Sequence, residues 1–380
     1  MRTLRVLLLV TLVTAGIYAV ALKHSSDLFA VQGAKAAASG ESTLLKAFAG
    51  IQPIDAHMHV YKDDPALNAL MQRLKLRMLN ICVMDDRDPF FKGLEPQRGD
   101  VLRFFHSTGG RAAFCTTFSP YQFEGAGFSE SVIRQLDADF AAGAVAVKIY
   151  KVMGMEMKSK AGKYVMADDP AFEPIYQHIA AHRRTLVAHL AEPDSCWQPP
   201  NPASPDYEYY KEHPEEYAYA HPEWPSKPAI LAARDHLLAA NPKLRVVGAH
   251  LGSMEADVNE MAQRFDRYPN FAVDTAARVP YFMLQPREKV RAFLIKYQDR
   301  ILYATDLVVM PQDSTEKALQ EWTTTYERDW RFFATDQPLE YKGHHAQGLR
   351  LPESVLRKLY HDNAVRWIPG IIGSVPIGTH

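Results

Sequence analysis

Seven polar residues stand in or just after apolar runs of this 380-residue chain. They are His57 and His59 in IDAHMHV, Lys148 in AVAVKIY, His189 in TLVAHLAEP, His250 in LRVVGAHLG, Asp274 in NFAVDTAA and Asp306 in RILYATDL. In a strand, positions i and i+2 point the same way. His57 and His59 therefore project from one face, with Ala56, Met58 and Val60 on the other. Two neutral imidazoles side by side suit a transition metal. Each of the seven has a plainer reading alone: Lys148 snorkels, His189 is a hydrogen-bonded core histidine, Asp306 caps the next helix. Together they form a set, because a polar group at the end of an apolar run is costly unless it is paired or bound to a metal.

The elements that must position this set follow from the pattern of apolar runs. Eight short runs alternate with amphipathic stretches from Ile51 onward: PIDAHMHV, LNICVMD, AAFCTTFS, AVAVKIY, TLVAHLAEP, LRVVGAHLG, NFAVDTAA and RILYATDL. Several are continuously apolar, as in parallel strands buried on both faces. The helical stretches include SESVIRQLDADFAAG, ending on Gly143, AFEPIYQHIAAHRR, KPAILAARDHLLAANP and ADVNEMAQRFDRYP. Eight such units predict an α/β (β/α)₈ TIM barrel, with its site at the C-terminal ends of the strands. The alternative is a doubly wound open sheet, but no glycine-rich phosphate-binding motif follows any strand.

One connection is too long for its place. After the fifth run comes DSCWQPPNPASPDYEYYKEHPEEYAYAHPEWPSKP, rich in Pro, Tyr and acidic residues. Segments of this length are commonly lids or disordered, and the aromatics, Trp197 and Tyr209 among them, argue against disorder. We expect residues 194–228 to fold as a lid over the barrel mouth, with its Tyr and Trp side chains available to a bulky substrate.

A formal net charge of -1 and a hydrophobic fraction of 47% fit a large core and give no footprint for nucleic acid. Cys82, Cys115 and Cys196 make no disulfide framework and no C-x-x-C metal site; Cys82 and Cys115 are expected to be buried packing residues. Arg2 and Arg5 precede an apolar run from Val6 to Leu22, and Ala19-Val20-Ala21 resembles a cleavage site. Residues 1–21 are read as a secretory signal peptide, or else as an N-terminal membrane anchor. Residues 22–48 read as a linker and 49–380 as the barrel. The expectation is an exported protein, periplasmic or extracellular.

An H-x-H on strand one, His on strands five and six, and Asp on strand eight resemble the amidohydrolase superfamily. The resemblance is to its amidohydrolase-2 branch, which also holds non-oxidative decarboxylases. GAHLGS at 248–253, ILYATD at 301–306 and the closing YHDNAVRWIPG at 360–370 support it. It implies that His57, His59, His189 and Asp306 hold one divalent metal, zinc first and manganese second. It implies that His250 orients or deprotonates the metal-bound water, with Asp306 sharing the proton work. Lys148 is read as holding a substrate carboxylate; in two-metal members a strand-four lysine is instead carboxylated and bridges the ions. Tyr150, Glu192, Asp274 and Arg278 lie near the same rim as candidate substrate-binding residues. The expected activity is hydrolysis of an ester, lactone or amide-type bond in a small molecule. The alternatives are decarboxylation of an aromatic or enoic acid, and an inactive binding barrel.

Overall fold

The computed structural model describes residues 42–341 and 344–373. The expected signal peptide and most of the expected linker lie outside the described residues. Strands β1 (Ile54–Val60), β2 (Arg77–Ile81), β3 (Ala112–Thr117), β4 (Ala146–Ile149), β5 (Thr185–Ala188), β6 (Arg245–Gly248) and β7 (Phe271–Asp274) pair in parallel, each with the next. The eighth run is split. Its first part, β8 (Ile301–Leu302), pairs with β7, and its second, β9 (Leu307–Val309), pairs with β1. Between them the pairing with β1 continues: the Ala56 N–H donates to Tyr303 O (2.9 Å) and the Asp306 N–H to His57 O (2.8 Å). One interrupted strand thus closes the ring, giving the expected barrel and not an open sheet.

Helices follow the strands around the outside. After α1 (Thr43–Gly50) come α2 (Pro65–Arg73), α3 (Leu94–Ser107), α4 (Phe128–Ala141), α5 (Glu173–Ala181), α6 (Tyr207–Glu212, inside the long connection), α7 (Lys227–Ala240), α8 (Val258–Arg267), α9 (Arg287–Lys296) and α10 (Thr315–Ala334). Local signals stop and start them. Gly143, at φ +105°, ends α4, with the Gly143 N–H on Phe140 O (3.1 Å) and the Ala144 N–H on Asp139 O (2.9 Å). Asp257 starts α8 by accepting the Asn259 N–H at 2.7 Å. No described helix is long and apolar enough to cross a membrane.

Two expectations need correction. Residues 43–48 are helix and not linker: Ser42 caps α1, and Phe48 stacks on Tyr326 of α10 with ring centroids 4.9 Å apart. An Ala-rich stretch reads as linker by composition, yet Leu45 and Phe48 supply a buried face. In β1 the faces do not simply alternate, because the register shifts between Asp55 and Met58. Ala56 turns inward, packing with the barrel interior (Ile54, Ile81, Val187, Leu302), whereas Met58 and Val60 face the helices.

The closing segment plugs the N-terminal end of the barrel. Trp367, Ile368 and Ile371 pack under the interior residues. The Asn363 amide donates to the Gln298 and Ile301 carbonyls, each at 2.7 Å. At the other end β6 runs out at Gly248, where an added Cβ would lie 2.9 Å from Gly252 Cα and from the Phe271 ring. Gly248→Ala should therefore lower stability by about 1–3 kcal/mol, read as a lower urea midpoint at unchanged slope.

Candidate metal centre

At the mouth of the barrel, β1 carries His57 and His59 on one side and the break in strand eight carries Asp306 on the other. One ligand atom from each lies within 4.8 Å of the others, and all three residues are buried. Asp306 Oδ1 stands 3.5 Å from His57 Nε2 and 3.4 Å from His59 Nε2. The backbone pays for this: Asp306 sits at φ +67°, a left-handed conformation that a non-glycine residue adopts only when held. Its N–H on His57 O supplies the hold.

Behind the imidazoles are the groups that aim them. The His57 Nδ1–H donates to Asp274 Oδ2 at 2.9 Å, and the His59 Nδ1–H to Ile81 O at 2.9 Å. Both Nε2 atoms are thereby left as lone pairs turned toward Asp306, the tautomer that metal ligation requires. Asp274 does not lie on the rim as expected. It is fully buried, and Oδ1 accepts the His250 N–H (2.8 Å) and the Ala276 N–H (3.1 Å). Both oxygens are used inside the protein, on His57, His250 and Ala276, and neither faces the rim.

Burial sets the charges. It drives His57 well below its ordinary pKa, with Lys148 adding to the effect. It lowers His250 to about 3 against the pull of Asp306, and His189 well below the usual range. Burial alone would raise Asp306, but His250, His57 and His59 hold it well below the usual carboxylate range. Neutral imidazoles around an ionised carboxylate are the donor set of a divalent transition metal.

His189 is not within this group of three. Its ring lies beside His250, centroids 4.2 Å apart, and meets Tyr150 edge-on at 5.2 Å. Its Nε2 is buried, 3.7 Å from Glu192 Oε1, with no hydrogen-bond partner. A buried imidazole nitrogen without a partner, on a ring beside His250, is what an added ion would satisfy. Lys148 reaches the same place from β4: its Nζ lies 2.9 Å from His57 Nε2, and burial brings its pKa down to about 8. It faces the ligands, deeper than a rim cation. His250 is held at φ +57° with its Nδ1 3.0 Å from Ala276 O.

Glu192 and Arg278 belong to a layer above. Glu192 pairs with Lys151 and stands 3.6 Å from Arg278 Nη2. Arg278 Nε is buried with no hydrogen-bond partner. The long connection joins this layer. Its Glu216 sits 2.9 Å from Arg87 Nη2 and 2.8 Å from Lys151 Nζ, and its Asp206 accepts from the Tyr281 hydroxyl. These partners follow β2, β4 and β7, so the connection crosses the C-terminal face, as expected of a lid. Its aromatics serve it differently from the expectation. Tyr210 and Tyr217 are buried and stack at 5.0 Å, and with Cys196 and Ala218 they join the core that packs outside the strands. Arg87, Lys151 and Glu216 were missed because the ion pairs that join them, Arg87 to Glu216 and Lys151 to Glu216, link residues remote in the chain.

The Amidohydrolase family model matches residues 54–369. The chain belongs to the amidohydrolase family. No curated protein matches it. Among solved structures, it is similar to an uncharacterised TIM-barrel protein from Bordetella bronchiseptica, at 14% identity over 84% of this chain and 99% of that one, with a TM-score of 0.46. It is similar to 2,6-dihydroxybenzoate decarboxylase from Rhizobium, at 14% identity over 83% and 98%, with a TM-score of 0.45. It is also similar to dihydroorotase from Campylobacter jejuni, at 12% identity over 83% and 82%, with a TM-score of 0.42. None of these bears on which reaction this amidohydrolase catalyses.

If Asp274 sets the His57 tautomer, Asp274→Asn should weaken divalent-metal binding by roughly 10–100-fold. Competition against a chelator measures it. A substrate-reading residue at this position would leave metal affinity unchanged and move only KM.

Proposed function

We propose that the chain is a metal-dependent hydrolase that opens an ester, lactone or amide-type bond in a small molecule. The observation that carries this reading is the arrangement of His250 beside the His57, His59 and Asp306 cluster. With its Nδ1–H on the Ala276 carbonyl, its Nε2 has no proton and is an acceptor. Hydrolysis needs such an acceptor next to an electrophilic centre.

His57, His59 and Asp306 would hold one divalent ion, zinc or manganese, with His189 as the fourth ligand. Bound there, the ion supplies a Lewis acid that polarises a carbonyl and acidifies water. The chain's own residues do the remaining work. His250 takes the proton of the attacking water and returns it to the leaving group. Asp306 Oδ2, 3.9 Å from His250 Nδ1, stabilises the imidazolium while the proton is held. Arg278, with its Nε unpartnered, holds an oxygen of the substrate, and Tyr150 forms the wall beside His189. The lid excludes bulk water from a site whose electrostatics depend on a low dielectric.

A second reading has its own observation. Lys148 and Arg278 are two buried cations near the centre, able to grip a substrate carboxylate, and decarboxylation of an aromatic or enoic acid would use them. A panel of lactones, aryl esters, amides and aromatic carboxylates given to the metal-loaded enzyme separates the two. Hydrolysis products support the first reading; CO₂ release without hydrolysis overturns it. We also propose export, on the basis of the Arg-flanked apolar run from Val6 to Leu22; N-terminal sequencing should find a mature chain beginning at Leu22.

His250→Asn should retain the metal and lower kcat by roughly 10²–10⁴-fold, the usual worth of a positioned acid–base group. Loss of the ion in that variant would make His250 a ligand instead.

A further inference from the structure

Outside the barrel mouth, a second group of metal-ligating side chains converges on the outer wall. His178 and His182 lie one helical turn apart, His178 in α5 and His182 at its C-cap, with Asp137 facing them from the neighbouring α4. One ligand atom from each lies within 4.8 Å of the other two. His178 Nε2 stands 2.8 Å from Asp137 Oδ1, and His182 Nε2 3.9 Å from the same oxygen. Four ligands at 2.0–2.2 Å around a tetrahedral ion lie about 3.3–3.5 Å apart, so the two separations bracket that value and side-chain rotation alone closes the difference.

The surroundings favour ligation. The His182 Nδ1–H donates to the His178 carbonyl at 3.0 Å, which leaves His182 Nε2 as a lone pair on the Asp137 side. Phe140 backs both rings: His178 stacks on it at 13° with centroids 6.2 Å apart, and His182 lies 5.3 Å away. The imidazoles are 4.2 Å apart, centroid to centroid. His182 and Asp137 side chains are 44% and 52% exposed, so an ion reaches them from solvent and a water can fill a remaining position. The opposing charge is Arg184, whose guanidinium lies 5.4 Å from the Phe140 ring centre.

We propose that Asp137, His178 and His182 form a second transition-metal site, taking a zinc-like or copper-like divalent ion, at the end of the barrel opposite the His57 cluster. Imidazole-rich sets select these ions over calcium or magnesium. Bound there, the ion ties α4 to α5, the two helices that flank β4, and stabilises the native state because the unfolded chain lacks the preformed set.

The test uses Zn²⁺ alone on the full protein. After equilibrium dialysis, elemental analysis should find one zinc more per chain in the wild type than in His178→Asn/His182→Asn. Zinc should also raise the thermal midpoint of the wild type by more than that of the double variant. Asp137→Asn should weaken the outer ion by at least the ~10–100-fold that accompanies loss of a supporting group. The readout is a difference between chains, so it does not depend on how many ions the barrel mouth holds. Equal zinc counts with equal midpoint shifts in wild type and double variant overturn the proposal.

Discussion

A carboxylate sealed from water, Asp274, governs the rest of the site. One oxygen accepts the His57 Nδ1–H; the other accepts the backbone N–H groups of His250 and Ala276. A single side chain at the end of β7 thus sets the tautomer of His57 on β1 and fixes the backbone of His250 after β6. Burial raises its pKa to about 6, while His250, Lys148 and the two backbone donors work against that rise. The group is kept because those donors are preorganised, and a buried charge without them would cost several kcal/mol.

The same logic explains why strand eight is broken. Asp55, also fully buried and pushed up to about 7 by burial, accepts the Thr305 N–H (3.1 Å) and hydroxyl (2.6 Å), the His57 N–H (3.2 Å) and the Tyr326 hydroxyl (3.1 Å). These bonds tie the shifted register of β1 to the interruption at 303–306. Both irregularities serve one end. The shift aims His57 and His59 inward together, and the interruption turns Asp306 to face them.

Much of this was legible in the sequence because it rests on local pattern. The apolar runs mark the strands, Gly143 marks a helix end, and polar residues at run ends mark the mouth. Cys82 and Cys115 are buried, as their apolar neighbours imply. What the pattern could not carry is partnership across the fold. Asp274 looks like any polar strand end until His57 is placed 217 residues away against it. Asp55 precedes an obvious motif and hides behind it. The lid aromatics, read as a wall for substrate, stack on one another and join the core outside the strands, since a 35-residue excursion must bury apolar surface to offset the cost of ordering it.

Two kinds of backbone and side-chain constraint meet at this mouth. Left-handed non-glycine residues begin or follow the loops after β5, β6, β7 and β8: Ala191, His250, Ala277 and Asp306. Each costs about 1–3 kcal/mol and persists only because fixed hydrogen bonds over-determine it, such as Asp306 to His57 or the Ser253 hydroxyl to the Leu190 (2.8 Å) and Ala191 (3.0 Å) carbonyls. That lower tier cannot move without giving up its bonds. The lid above is held to the barrel by buried apolar contacts of Cys196, Tyr210 and Tyr217, by Glu216 on Arg87 and Lys151, and by Asp206 on Tyr281. Buried ion pairs balance large desolvation costs against large attractions, so the apolar contacts contribute to the hold as well. The centre and its cover are thus fastened by different means, strained backbone held by hydrogen bonds below and buried ion pairs with apolar packing above.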